Sequence, residues 1–213
     1  MNSRSLADQL ALANTIIYNV KNHAIIQQKL VEWGYPITKV NQAETLLNSA
    51  QLAQQAQQDS YHSKRELERR YQDELSTVRA RYSEHRAVAK VIFRNQPDVL
   101  SRLLLNQRQP RRQSDWLAQM QAFYQLITEY SKDMQKLGIK AEELAQTQTM
   151  LTGLSELRAQ RLQCKGDAES ATEKRNQLLA ELRGWQQEFI QVAKMALKDD
   201  PQLLEMLGIA VAA

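Results

Sequence analysis

Residues 88–103, VAKVIFRNQPDVLSRL, return 104 positions later as residues 192–207, VAKMALKDDPQLLEML. In this pair Val88, Ala89, Lys90, Pro97, Leu100 and Leu103 fall on Val192, Ala193, Lys194, Pro201, Leu204 and Leu207. Extending the same offset outward without gaps sets Gly34 on Gly138, Thr45 on Thr149, Leu47 on Leu151, Leu75 on Leu179, Arg79 on Arg183 and Glu84 on Glu188. Self-similarity at a fixed period is the mark of a repeated architecture. The identities are few and nearly absent between Leu52 and Glu74, so the physical content of the matched positions carries the reading.

That content is punctuation. Trp33-Gly34-Tyr35-Pro36 and Leu137-Gly138-Ile139 both read as a helix end, with glycine in the left-handed conformation just past the last turn and an apolar residue folding back. Gln96-Pro97 and Asp200-Pro201 place a proline where a short new helix begins, and Asp200 is expected to cap it. Each copy therefore ends in a short amphipathic helix, 97–105 and 201–207.

Between these marks apolar residues recur at threes and fours. A first helix is expected over 6–33 and its counterpart over 114–137, with Ser114 as N-cap. A second segment, about 38–95 and 140–198, contains no proline and would reach roughly 87 Å if straight, at 1.5 Å per residue. Its seam runs Val40, Ala43, Leu47, Ala50, then Gln54, Gln57, Tyr61, Lys64, Glu68, then Tyr71, Leu75, Val78, Tyr82. The middle third has lost its apolar stripe, and Arg158, Arg161 and Lys165 mark the same failure in the second copy, followed by Gly166-Asp167. Ser63 with Glu66 and Ser170 with Glu173 have capping-box spacing. A hairpin tip near His62 and Gly166 is accordingly preferred over one unbroken helix, since helices of matched length bury each other's stripes.

The fold expected is all-α: an elongated helical bundle of two tandem, internally repeated units with a period of about 104 residues. It has four long helices, or six if each long helix folds into a hairpin. The units are 1–105 and 114–213, joined by a basic linker, 106–113, and packed as one domain. Six Gly and four Pro in 213 residues leave long stretches with nothing to stop a helix. With 43% hydrophobic and 24% charged residues the chain is too apolar for disorder and long enough to bury a sizeable core. Cys164 is the only cysteine, so no intrachain disulfide forms. The N-terminal stretch is interrupted by Asp8, Gln9 and Asn14, which argues against a signal peptide, and no apolar run is long enough to span a bilayer. A cytoplasmic location is the expectation that follows.

Motifs of catalysis are missing: there is no glycine-rich phosphate loop, no GxSxG and no HExxH. Di-metal bundles use Glu-x-x-His pairs on facing helices. Here only Asp59 and His62 show such spacing, and their counterparts are Gln163 and Gly166. No metal site, cofactor, small-molecule substrate or enzymatic activity is expected. His85, which falls on Phe189, and His23, which falls on Ile127, read as helix-face residues near the core. Cys164 beside Lys165 reads as a lone thiol, and Trp116, Trp185, Tyr124 and Phe189 as core packing at helical spacing.

Charge is the one feature that breaks the symmetry. Residues 1–104 carry 14 Lys and Arg against 10 Asp and Glu, whereas residues 114–213 carry 11 against 14. The cations concentrate between 64 and 112, and Lys64, Arg65, Arg69, Arg70, Arg108, Arg111 and Arg112 are the candidate contacts for an anionic partner. A solvated face with i,i+4 pairs to interleaved acids is preferred, because a net charge of +4 is modest for a nucleic-acid binder. The function expected is a non-catalytic scaffold acting through protein contacts, self-assembling through its basic and acidic copies. The alternative is an anionic polymer such as nucleic acid, or an acidic membrane surface, bound through 64–112.

Overall fold

The computed structural model describes residues 5–210; the outer ends of the two expected units, 1–4 and 211–213, lie outside the described residues. The regular structure is all helix, with no strand among the described residues. In order the helices are α1 (Leu6–Asn22), α2 (Ala24–Glu32), α3 (Ile37–Ile92), α4 (Pro97–Arg102), α5 (Gln113–Ile127), α6 (Ser131–Gln135), α7 (Ala141–Ala196) and α8 (Pro201–Met206), with a 3₁₀ turn, Thr128–Tyr130, before α6. None of them is long and apolar enough to cross a membrane, among the described residues.

Helix α1 starts on a capping box: the Ser5 hydroxyl accepts from the Asp8 amide, and the Asp8 carboxylate accepts from the Ser5 amide, both at 3.2 Å. The single first helix expected over 6–33 is broken at His23, whose backbone is extended (φ −127°, ψ 99°). The break is stabilised by Gln27, whose side-chain amide donates to the carbonyls of Val20 and Lys21 at 2.9 Å each. Its expected counterpart over 114–137 is likewise interrupted, by the 3₁₀ turn, and Ser114 is not its cap. That hydroxyl donates to Asp115, and the N-cap is Arg112, whose side chain makes no capping bond.

The glycine turns follow the Schellman pattern. Gly34 has φ +71° and Gly138 φ +92°. Beyond them the Tyr35 amide donates to Leu30 O at 2.9 Å and the Ile139 amide to Met134 O at 3.2 Å. Both α4 and α8 begin at proline, as expected from the sequence. Asp200 does not cap α8: its carboxylate pairs with Lys29 instead, an ion pair that raises the Lys29 pKa above its ordinary value.

The hairpin preferred from the sequence is not what forms. Helices α3 and α7 are each 56 residues long and continuous through His62-Ser63 and through Gly166. A capping box satisfies amides only where a helix begins. In a stretch free of proline, the cost of one glycine, about 1 kcal/mol, is too small to end a helix.

Packing divides the chain into two compact units that differ from its sequence halves. The terminal unit comprises residues 1–62 and 166–213, and the central unit residues 63–165. In the terminal unit, Ile16, Ile17 and Val20 of α1, Ile26 and Leu30 of α2, and Val40 and Leu47 of α3 enclose a core with Leu182, Phe189 and Ala193 of α7 and Leu204 of α8. Tyr35 meets Phe189 edge-on, with ring centroids 5.5 Å apart. Burial drives the Tyr35 phenol up to about 12. In the central unit, Tyr71, Leu75, Val78 and Tyr82 of α3 face Trp116, Met120 and Phe123 of α5 and Leu144, Leu151 and Leu154 of α7. Phe123 stands edge-on to Tyr82 at 5.3 Å.

Candidate functional site

The charge asymmetry between the compact units is larger than that between the sequence halves. The terminal unit holds 9 Lys and Arg against 12 Asp and Glu, net −3, and the central unit 19 against 12, net +7. The segment 64–112 lies wholly in the central unit, which adds Lys132, Lys136, Lys140, Arg158, Arg161 and Lys165 from the second half of the sequence.

Much of the basic segment is occupied in holding the central unit together. Arg86 donates to the carbonyls of Leu104, Leu105 and Gln107, the last at 2.6 Å, and so closes the chain where α4 ends. Leu104 there has φ +55°, a left-handed conformation that costs a leucine roughly 1–2 kcal/mol. The Arg79 guanidinium lies 4.5 Å from the Trp116 ring centre. Arg102 pairs with Glu129 at 2.9 Å. Of the sequence candidates, Arg69 makes the solvated-face i,i+4 pair, with Asp73 at 3.1 Å. Arg65, Arg70, Arg108, Arg111 and Arg112 are exposed, the last three in the loop between α4 and α5.

Lys64 lines a cleft of about 200 Å³, together with Glu68 on α3 and Arg158, Arg161, Leu162 and Lys165 on α7. Arg161 is fixed at its heart. Its Nε donates to Glu68 Oε2 at 2.8 Å, a terminal nitrogen reaches the same oxygen at 2.6 Å, and its guanidinium carbon lies over the Tyr71 ring, 4.2 Å from the ring centre. The Tyr71 hydroxyl in turn accepts from Gln113 at 3.1 Å. Glu68 also accepts from Gln72 at 2.9 Å, and this bond, with Arg161 and Lys64 nearby, lowers its pKa. The other sequence candidates do not line this cleft, while Arg158, Arg161 and Lys165 were visible only as the place where the α7 seam loses its apolar residues.

His85 is fully buried, between the Tyr124 hydroxyl at 2.8 Å from Nδ1 and the Glu143 carboxylate at 3.1 Å from Nε2. This polar link ties α3 to α5 and α7, and burial pushes the Tyr124 phenol well above its usual range. Asp59 and His62 are both exposed, and no group of three His, Cys, Asp or Glu placed to hold a metal occurs among the described residues. The terminal unit carries a shallow groove lined by Tyr61, Glu169, Thr172, Glu173, Asn176 and Gln177, acidic where the central cleft is basic. No protein-family model, curated protein or solved structure matches the chain.

Proposed function

We propose that the chain is a duplicated helical scaffold, cytoplasmic and without chemistry of its own, that works through protein contacts and assembles with its own copies. Duplication is supported by the element bounds: α3 and α7 start 104 residues apart and end 104 apart, as do α4 and α8. Exposed apolar side chains recur at the same offset. Trp33 and Leu137 are each 50% exposed, and Val91 and Met195 are 59% and 46% exposed. Their recurrence at equivalent places supports duplication.

The observation that carries self-assembly is the opposite charge of the compact units, −3 and +7, with an acidic groove in one and a basic cleft in the other. Such complementarity favours contact between the terminal unit of one copy and the central unit of the next. The test is light scattering across a concentration series. Mass should rise with concentration at low salt and fall toward monomer as the Debye length shrinks from roughly 30 Å at 0.01 M to about 3 Å at 1 M. A chain that stays strictly monomeric at low salt and high concentration would sink self-assembly.

A second reading, binding of an anionic polymer or acidic membrane surface through 64–112, is favoured by the +7 of the central unit. Salt-dependent retention on an anionic matrix by a monomeric chain would move it to first place.

A further inference from the structure

We infer that the central-unit cleft of Lys64, Arg158, Arg161 and Lys165 is a binding site for closely spaced phosphate groups, the chemistry shared by inorganic polyphosphate chains and nucleic-acid backbones. The inference rests on the anionic-polymer reading and deepens it by naming its site and ligand class; its test reads phosphate binding and is separate from the test of self-assembly, which draws on the same basic cleft. Four cations line this cleft against one carboxylate, Glu68, which is already engaged by Arg161 and Gln72. Arg161 is held in place before any ligand arrives, by Glu68 on its Nε edge and Tyr71 against its face. Two nitrogens facing Glu68 leave donors on the rest of the guanidinium fork, which suits the tetrahedral oxygens of a phosphate. Arg158 is exposed on the same lining and supplies a second fork.

Size and shape narrow the ligand. A volume of about 200 Å³ lies below the roughly 300–1,000 Å³ of sites that enclose a drug-sized molecule, so the cleft takes phosphate groups and leaves the remainder of the ligand outside. Leu162, 68% exposed on the lining, gives that remainder an apolar edge to lie on. A concave cleft admits a projecting phosphate chain better than the flat face of a bilayer.

The test uses the full-length chain and two probes, sodium tripolyphosphate by calorimetry and a fluorescent single-stranded oligonucleotide by anisotropy, at low and moderate salt. Arg158→Gln with Lys165→Gln should weaken tripolyphosphate binding at least tenfold. Lys132→Gln with Lys140→Gln, which removes the same charge from the same unit away from the cleft, should weaken it less than threefold. Circular dichroism should show both variants as helical as the parent. Binding of both probes, each lost in the cleft variant, assigns the site to nucleic-acid backbones as well as polyphosphate; binding of tripolyphosphate alone assigns it to the free anion. Equal losses in the two variants, or no tripolyphosphate binding by the parent chain, would overturn the inference. An oligonucleotide bound equally well by parent and cleft variant, with tripolyphosphate binding lost in the variant, would place nucleic acid elsewhere on the chain and assign the cleft to the free anion.

Discussion

Replacing Gly166 by alanine decides between an unbroken α7 and a hairpin tip at that point. Gly166 lies inside the helix, is exposed, and has nothing within 4 Å of where a Cβ would stand. With no contact to disturb, only the backbone terms change: alanine is favoured over glycine in a helix interior by about 0.8–1 kcal/mol, in part because it narrows the unfolded ensemble. For a chain of this size 1 kcal/mol moves the melting temperature by roughly 2–4 °C, so Gly166→Ala should raise it by about that much. Gly138 supplies the opposite control. Its surroundings are equally open, but its φ is +92°, in the left-handed region that side chains avoid. Gly138→Ala should therefore cost roughly 1–2 kcal/mol and lower the melting temperature by a few degrees. Thermal and urea unfolding followed by far-ultraviolet circular dichroism would measure both variants. If Gly166→Ala destabilised the chain as much as Gly138→Ala, Gly166 would have to sit in a turn, and the continuity of α7 would be refuted.

Alkaline pH should unfold the chain through its buried phenols. Tyr35 titrates at about 12, and burial raises Tyr82 and Tyr124 too, whereas an unfolded tyrosine titrates near 10. Stability should thus be complete below about pH 10 and fall between there and the folded values, because the unfolded chain releases those protons first. Tyrosinate absorbance rising fully near pH 10 with the helix signal intact would contradict this. Replacing Arg108, Arg111 and Arg112 together by glutamine should leave the melting temperature almost unchanged, since exposed charges contribute roughly 0–1 kcal/mol each. A larger loss would show that the loop between α4 and α5 holds the fold. Proteolytic cleavage within residues 106–112 should leave the two halves associated on gel filtration, because both cores draw on both halves; halves that separate in native buffer would count against that packing.

Local chemistry was legible wherever it depends on neighbours in sequence. Gly34 and Gly138 end helices, and Pro97 and Pro201 begin them, because left-handed φ and a missing amide are properties of single residues. Asp200 shows where such reading stops. A cap and an ion pair compete for one carboxylate, and the winner, Lys29, lies 171 residues away in the sequence. Ser63-Glu66 and Ser170-Glu173 misled for a related reason, since capping-box spacing also occurs by chance within a helix that never ends there. The compact units were hidden altogether: they depend on which stretch of α3 packs with which stretch of α7, and sequence periodicity does not encode that pairing. The cleft was hidden with them, its central pair Glu68 and Arg161 being 93 residues apart.

The composition of that cleft bears on why the seam turns polar there. On α3 the line that carries Lys64 and Glu68 continues into Tyr71, Leu75, Val78 and Tyr82, all buried. On α7 the line through Leu144, Leu151 and Leu154, also buried, runs on into Arg158, Arg161 and Lys165. Leucine at such positions would add burial, and a fully buried leucine contributes roughly 1.5–3 kcal/mol relative to an exposed one. Three charged side chains on one line and two on the other forgo that gain. The ion pair of Glu68 with Arg161 returns little, since Glu68 is 46% exposed and half-solvated pairs contribute at most about 1 kcal/mol. The Glu68–Arg161 pair therefore does not offset the apolar burial forgone along these lines, and the double replacement of Arg158 and Lys165 by glutamine should leave the melting temperature almost unchanged, since exposed charges contribute roughly 0–1 kcal/mol each.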